Sequence, residues 1–153
     1  MYRGQKPFLS WLCPLDVLQH DLHNPIYQRP GHFGYRPEFA DDFSTIDFVQ
    51  TPRYHLLQLQ CGTNMTVICI DLNTDGTRTT KRKESHLVYM RCANGRLGAM
   101  TDLSTVHCIA ALPVLDPDNK IYGGSDEKKY AELHLFHACF KKILAKFNVA
   151  SEK

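Results

Sequence analysis

The sequence lacks any apolar run near the ~18 residues that a membrane-spanning helix requires. It contains no Cys-x-x-Cys, no Gly-x-x-x-x-Gly-Lys-Ser/Thr loop and no Gly-x-Ser-x-Gly elbow. These absences argue against a helical membrane span, a zinc-ribbon or thioredoxin-like site, a phosphate-cradling nucleotide hydrolase and an elbow-borne serine nucleophile. Charge of one sign is also scarce: 18 Lys+Arg against 16 Asp+Glu leave a formal +2. Nucleic-acid binding therefore has to be argued from local features and not from bulk attraction to phosphates. No internal repeat or low-complexity segment interrupts the chain.

What is present is an ordinary globular composition, 153 residues with 43% hydrophobic and 22% charged. A domain of this size buries roughly two-thirds of the surface its unfolded chain exposes, so metals and multiple disulfides are optional. Six cysteines, Cys13, Cys61, Cys69, Cys92, Cys108 and Cys139, are spread along the whole chain. Their even number permits disulfides, and buried free thiols are the alternative. The apolar stretch from Phe8 to Leu18 is broken by Pro14 and Asp16 and has no small-residue cleavage site, so it does not read as a signal peptide. One glycosylation sequon is present, Asn64-Met65-Thr66.

Pro14 ahead of Leu15, Leu18 and Leu22 predicts a short helix ended by Asn24-Pro25. Proline and glycine from Asn24 to Pro37 predict an ordered loop, whose Tyr27, Phe33 and Tyr35 are expected to cover a core rather than stack on bases. Alternation predicts a strand from Tyr54 to Cys61, and β-branched residues favour another over Met65–Leu72, whose length also allows a short buried helix, closed by an Asn73–Gly76 turn. Further strands are expected at His86–Arg91, Leu97–Met100 and Thr105–Leu115, with a turn at Asp116–Asn119. The tail from Tyr130 to Val149 fits either a helix, through Leu133, Phe136, Phe140, Ile143 and Phe147, or a hairpin turning at Lys141-Lys142.

Among chemistry-bearing groups, His134, His137 and Cys139 form the one tight metal-type cluster, and the two histidines share a face only on a helix. His107-Cys108 holds an imidazole and a thiol, but neighbours on a strand face opposite ways and cannot pair as base and nucleophile. Gly123-Gly124-Ser125 lacks the lysine of a phosphate loop. Arg78, Lys81, Arg82 and Lys83 form a basic stretch, read either as a solvated loop or as a contact for RNA phosphates.

Leu112-Pro113-Val114-Leu115, a four-residue turn and then Lys120-Ile121-Tyr122-Gly123-Gly124-Ser125 resemble the strand, turn and Tyr-x-Gly-Gly-Ser segment of the small guanyl-specific fungal ribonucleases. Leu133-His134-Leu135-Phe136 and Ile143-Leu144-Ala145 resemble their last two strands, and Tyr54 to Asn64 their opening Tyr-x-Cys-Gly segment. The resemblance implies an α+β fold with an antiparallel sheet packed on a helix, residues 54–153 forming the ribonuclease-like domain and residues 1–53 an N-terminal helix and loop extension packed on it. It implies two strands and a turn over 133–149. The catalytic glutamate, arginine and histidine positions fall on Ala111, Leu133 and Ala150, so base, charge clamp and acid are all replaced.

That pattern is similar to the RNase-like effectors that powdery mildew fungi secrete into plant cells. It implies a non-enzymatic, cofactor-free protein acting inside the host cell, binding host proteins and recognised by a plant immune receptor, with weak RNA binding and no membrane contact. The signal peptide is then expected ahead of this chain, and at least one disulfide is expected, involving Cys61. Those effectors usually end in a cysteine that pairs with the Tyr-x-Cys cysteine, and none follows Cys139 here. An intracellular or viral α+β interaction module is the alternative, and an RNA-cleaving enzyme whose catalytic groups have moved to His86, His107 or Glu84 the second alternative.

Overall fold

The structure is a computed structural model, and it describes residues 8–34, 48–80, 83–115 and 125–150. A two-residue strand β1 (Ser10–Trp11) leads into helix α1 (Pro14–Leu22), and helix α2 (Pro52–Cys61) precedes two long strands, β2 (Ile70–Thr80) and β3 (Lys83–Cys92). A single helical turn α3 (Leu97–Met100), strand β4 (His107–Leu112) and helices α4 (Ser125–Ile143) and α5 (Ala145–Ala150) complete the order. The four strands make one antiparallel sheet in the order β1-β4-β3-β2 with helix packed on it, the α+β architecture expected. β1 pairs with β4 in the register Ser10↔Ala111 and Trp11↔Ala110.

Contacts divide the chain into two compact units. One comprises residues 1–17, 73–89 and 108–153, and within it Ile109, Leu112, Leu135 and Ile143 are almost fully buried. Burying one such side chain contributes about 1.5–3 kcal/mol. The other comprises residues 18–72 and 90–107, and there Tyr27, Val49, Tyr54 and Met90 share the interior with Asp21, Asn94 and Thr105.

The helix predicted after Pro14 is α1, with proline in its first turn. Tyr54–Cys61, expected as a strand, lies in α2. Thr51 caps that helix: its Oγ1 accepts from the Tyr54 N–H at 3.3 Å, Pro52 opens the first turn, and Gly62 ends the helix at φ 83°. Cap, proline and glycine stand where a helix needs them, and they outweigh an alternation in which Leu56 and Leu59 are exposed. The tail is likewise helical and not two strands. Asp126 and Glu127 occupy the first turn of α4 and Lys141 and Lys142 its last, the charge order that the helix dipole favours.

Four smaller expectations also change. Leu97–Met100 is a helical turn, because Gly95 bridges to Phe33 and the Arg96 carbonyl accepts from both Ala99 and Met100 at 2.8 Å. Asn73–Gly76 does not turn but continues β2, the edge strand, where the His86 ring stands 3.3 Å from the point a Gly76 Cβ would occupy. The strand expected at 65–72 begins only at Ile70 and runs on to Thr80, while the one expected at 105–115 is shorter, spanning His107–Leu112; Thr105 ends a 3-10 turn capped by Asp102. The turn expected at 116–119 lies outside the described residues.

Candidate functional site

Of the four basic residues singled out, Arg78 lies near the end of β2 and Lys83 opens β3, while Lys81 and Arg82 fall at the connection, outside the described residues. Arg78 and Lys83 thus stand near the adjoining ends of two neighbouring strands. At the opposite end, Arg91 Nε bonds Asp71 Oδ2 at 3.0 Å across the two strands, and Arg91 Nη1 donates to the Met100 carbonyl at 3.3 Å.

The three positions that match ribonuclease catalytic groups lie on different elements. Ala111 is on β4 opposite Ser10, Leu133 is 54% exposed on α4, and Ala150 ends α5. The ribonuclease pattern sets Leu133 and Ala150 on or after strands, so the scaffold that would group these positions is not formed by the described residues. Among the alternative groups, His86 is exposed on β3 and Glu84 precedes it on the same strand.

His107 enters a different constellation. Its Nε2 lies 2.8 Å from Oδ1 of Asp21, whose side chain has no exposure, while the imidazole remains one-quarter exposed. Tyr27 Oη donates to the other carboxylate oxygen at 3.2 Å. Burial and the Asp21 charge push the Tyr27 phenol well above its ordinary range, so it stays a donor. The carboxylate thus has a phenol and an imidazole as partners, which is how a buried charge is tolerated. Asp21 and His107 are too far apart in sequence for any motif to join them.

The second polar centre is Asn94, fully buried. Its Oδ1 accepts from the Cys69 N–H at 2.8 Å, and its Nδ2 lies 3.0 Å from the carbonyls of Gly34 and Val67 and 3.3 Å from Tyr54 Oη. One amide thereby ties together the aromatic loop, α2 and the approach to β2. Gly34 is required there, since an added Cβ would lie 2.6 Å from a Val49 methyl. In sequence Ala93-Asn94-Gly95 reads only as a turn. Burial pushes the neighbouring Cys92 thiol up to about 11 and raises Cys69 as well.

Tyr27 and Phe33 cover the core as expected, their rings edge to face at 5.4 Å, whereas Tyr35 lies outside the described residues. His134 and His137 are exposed on α4 while Cys139 is buried, and no metal-type group of three His, Cys, Asp or Glu forms among the described residues. Ser125 opens α4, and Gly123-Gly124 lie outside the described residues. His107 and Cys108 do part company: while His107 turns to Asp21, the Cys108 thiol donates to the Ala110 carbonyl at 3.8 Å. All six cysteines are free thiols, Cys61 exposed at the end of α2. An open cleft of about 230 Å3 on α4 is lined by Asp126, Lys129, Tyr130 and Leu133. No family model, no curated protein and no solved structure matches the chain.

Proposed function

We propose that the protein acts by binding and not by catalysis, and that the basic end of the β2–β3 hairpin holds the phosphates of single-stranded RNA. The observation that supports this reading is that Arg78 lies near the end of β2 and Lys83 opens β3, with Lys81 and Arg82 between them in the sequence. Cations close together along a chain meet successive phosphates and release their counterions, which yields affinity with little sequence preference. The resemblance to catalytically inactive RNase-like effectors points the same way, with Ala111 and Leu133 unable to supply a base or a charge clamp. After the helical assignment of 54–61 and 133–143, that resemblance rests on Leu112 to Ser125. Secretion, host-protein binding and recognition by a plant immune receptor rest on the resemblance alone.

The test is fluorescence anisotropy of a labelled single-stranded oligonucleotide at increasing salt. Four neutralised phosphates give a log–log slope of about −3. Arg78→Glu with Lys83→Glu should abolish binding, while Lys128→Glu with Lys129→Glu on α4 should leave it intact. Salt-independent binding, or equal loss from both pairs, overturns the site. Cleavage of the oligonucleotide by nuclease-free protein overturns the binding-only reading.

A further inference from the structure

The edge of the sheet brings two cysteines into register. β1 and β4 pair Ser10 with Ala111 and Trp11 with Ala110, and the ladder runs one residue past β1, where the Leu12 N–H donates to the Ile109 carbonyl at 2.7 Å. Each step forward on one strand is a step back on the other, so the next rung sets Cys13 opposite Cys108. The Leu12 N–H bond to the Ile109 carbonyl marks that position as the hydrogen-bonded kind, which makes the cysteine position one step on the non-hydrogen-bonded kind. Directly opposed Cα atoms in such rungs approach to about 4.5 Å, inside the ~4.4–6.8 Å range of disulfides.

We propose that Cys13 and Cys108 are a redox couple that closes into a cross-strand disulfide. Access permits this pair and register selects it: Cys108 is exposed and Cys13 partly so, as Cys61 and Cys69 are, but of these four only Cys13 and Cys108 fall opposite each other in the register of two paired strands, and Cys92 and Cys139 are buried. The oxidant is a small-molecule disulfide such as glutathione disulfide. The thiolate of one cysteine attacks a sulfur of the oxidant, forming a mixed disulfide and expelling one glutathione thiolate. The second cysteine, as its thiolate, attacks the protein-bound sulfur and expels the other glutathione. Two protein thiols are thereby oxidised to one disulfide, one glutathione disulfide is reduced to two glutathiones, and the two protons pass to the departing thiolates.

The bond would clip a two-residue strand, and Pro14 at the head of α1 directly after it, to β4. Strand β1 offers little ladder of its own, so its docking becomes dependent on redox state. The bond also closes residues 13–108 into one long loop, and a cross-link restricts the unfolded ensemble more the longer the loop it closes.

The experiment incubates the full chain with glutathione disulfide under native conditions, then blocks remaining thiols, digests without reduction and identifies cross-linked peptides by mass. A peptide joining Cys13 to Cys108, two hydrogens lighter than its reduced parts, is expected in the monomer. It should disappear in Cys13→Ser and persist in Cys61→Ser, and oxidation should raise the melting temperature of the wild type but not of Cys13→Ser. Three results overturn the proposal: Cys13 and Cys108 both still blocked by the alkylating reagent after oxidation, a dominant cross-link between other cysteines, or glutathione retained on one of the pair with the other free.

Discussion

The two compact units differ in what fills them. All three fully buried polar residues among the described ones, Asp21, Asn94 and Thr105, belong to the unit built from residues 18–72 and 90–107. The other unit is closed by Val88, Ile109, Leu112, Leu115, Leu135 and Ile143, side chains without a directional demand. An apolar contact weakens in proportion to the atoms removed, whereas a buried polar group left without its partner costs its whole desolvation. The polar unit should therefore break abruptly and the apolar unit by degrees.

The largest effect is expected at Asn94. Asn94→Asp hardly changes shape and keeps an oxygen to accept from Cys69, but it sets an acceptor against the Gly34 and Val67 carbonyls where Nδ2 now donates. Two buried carbonyls lose their donor and a carboxylate is buried beside them. The expected loss is roughly 4 kcal/mol or more in chemical denaturation. A loss under about 1 kcal/mol would break the contrast, because the amide would then be a bystander to packing.

The same difference governs what the sequence discloses. Proline at the head of α1, the Thr51-Pro52 start and Gly62 stop of α2, and the acidic and basic ends of α4 are all local signals, visible without any tertiary knowledge. Reading Tyr54–Cys61 by alternation overlooks them, and the ribonuclease pattern draws the tail toward strands although its helical spacing is visible. Of the stripe Leu133, Phe136, Phe140, Ile143 and Phe147 that the spacing suggests, Ile143 is fully buried, but Leu135 and Cys139 are buried on α4 with it while Leu133 and Phe136 are exposed. Asn94 and the Asp21–His107 pair cannot be read at all. Their partners come from distant segments, and no local rule distinguishes a turn asparagine from one that ties three segments together.

Alkaline pH should sharpen the comparison with a smaller effect. Burial raises the Cys92 thiol from its ordinary 9.0 to about 11 and the Tyr27 phenol above its ordinary 10.0. A group whose folded value is raised contributes fully below its unfolded value and loses that contribution as pH rises through the folded one. The stabilisation from Cys92 is thus present below pH 9 and disappears by about pH 11, with Tyr27 following at still higher pH. For the Cys92 thiol this amounts to about 3 kcal/mol, read as unfolding free energy against pH under reducing conditions. Cys92→Ala should flatten the decline between pH 9 and about 11. Cys139→Ala should flatten it less, since Lys142 partly offsets the effect of burial on that thiol. Equal flattening by the two variants would erase the distinction between the units.

The smallest expected effect tests the apolar unit. Ile143 is fully buried on α4, and Ile143→Val removes one methylene from it without introducing a polar group. The loss then comprises the transfer free energy of that group and a small residual cavity, about 1 kcal/mol, while Ile143→Ala removes more atoms and should cost ~3 kcal/mol. Denaturant midpoints at constant m-value measure both. Graded losses in that order are what a core held by non-directional contacts requires. If Ile143→Val instead cost as much as Asn94→Asp, a single methylene would weigh as much as an inverted hydrogen-bond centre. The apolar unit would then be held by shape as strictly as the polar one is held by its donors and acceptors.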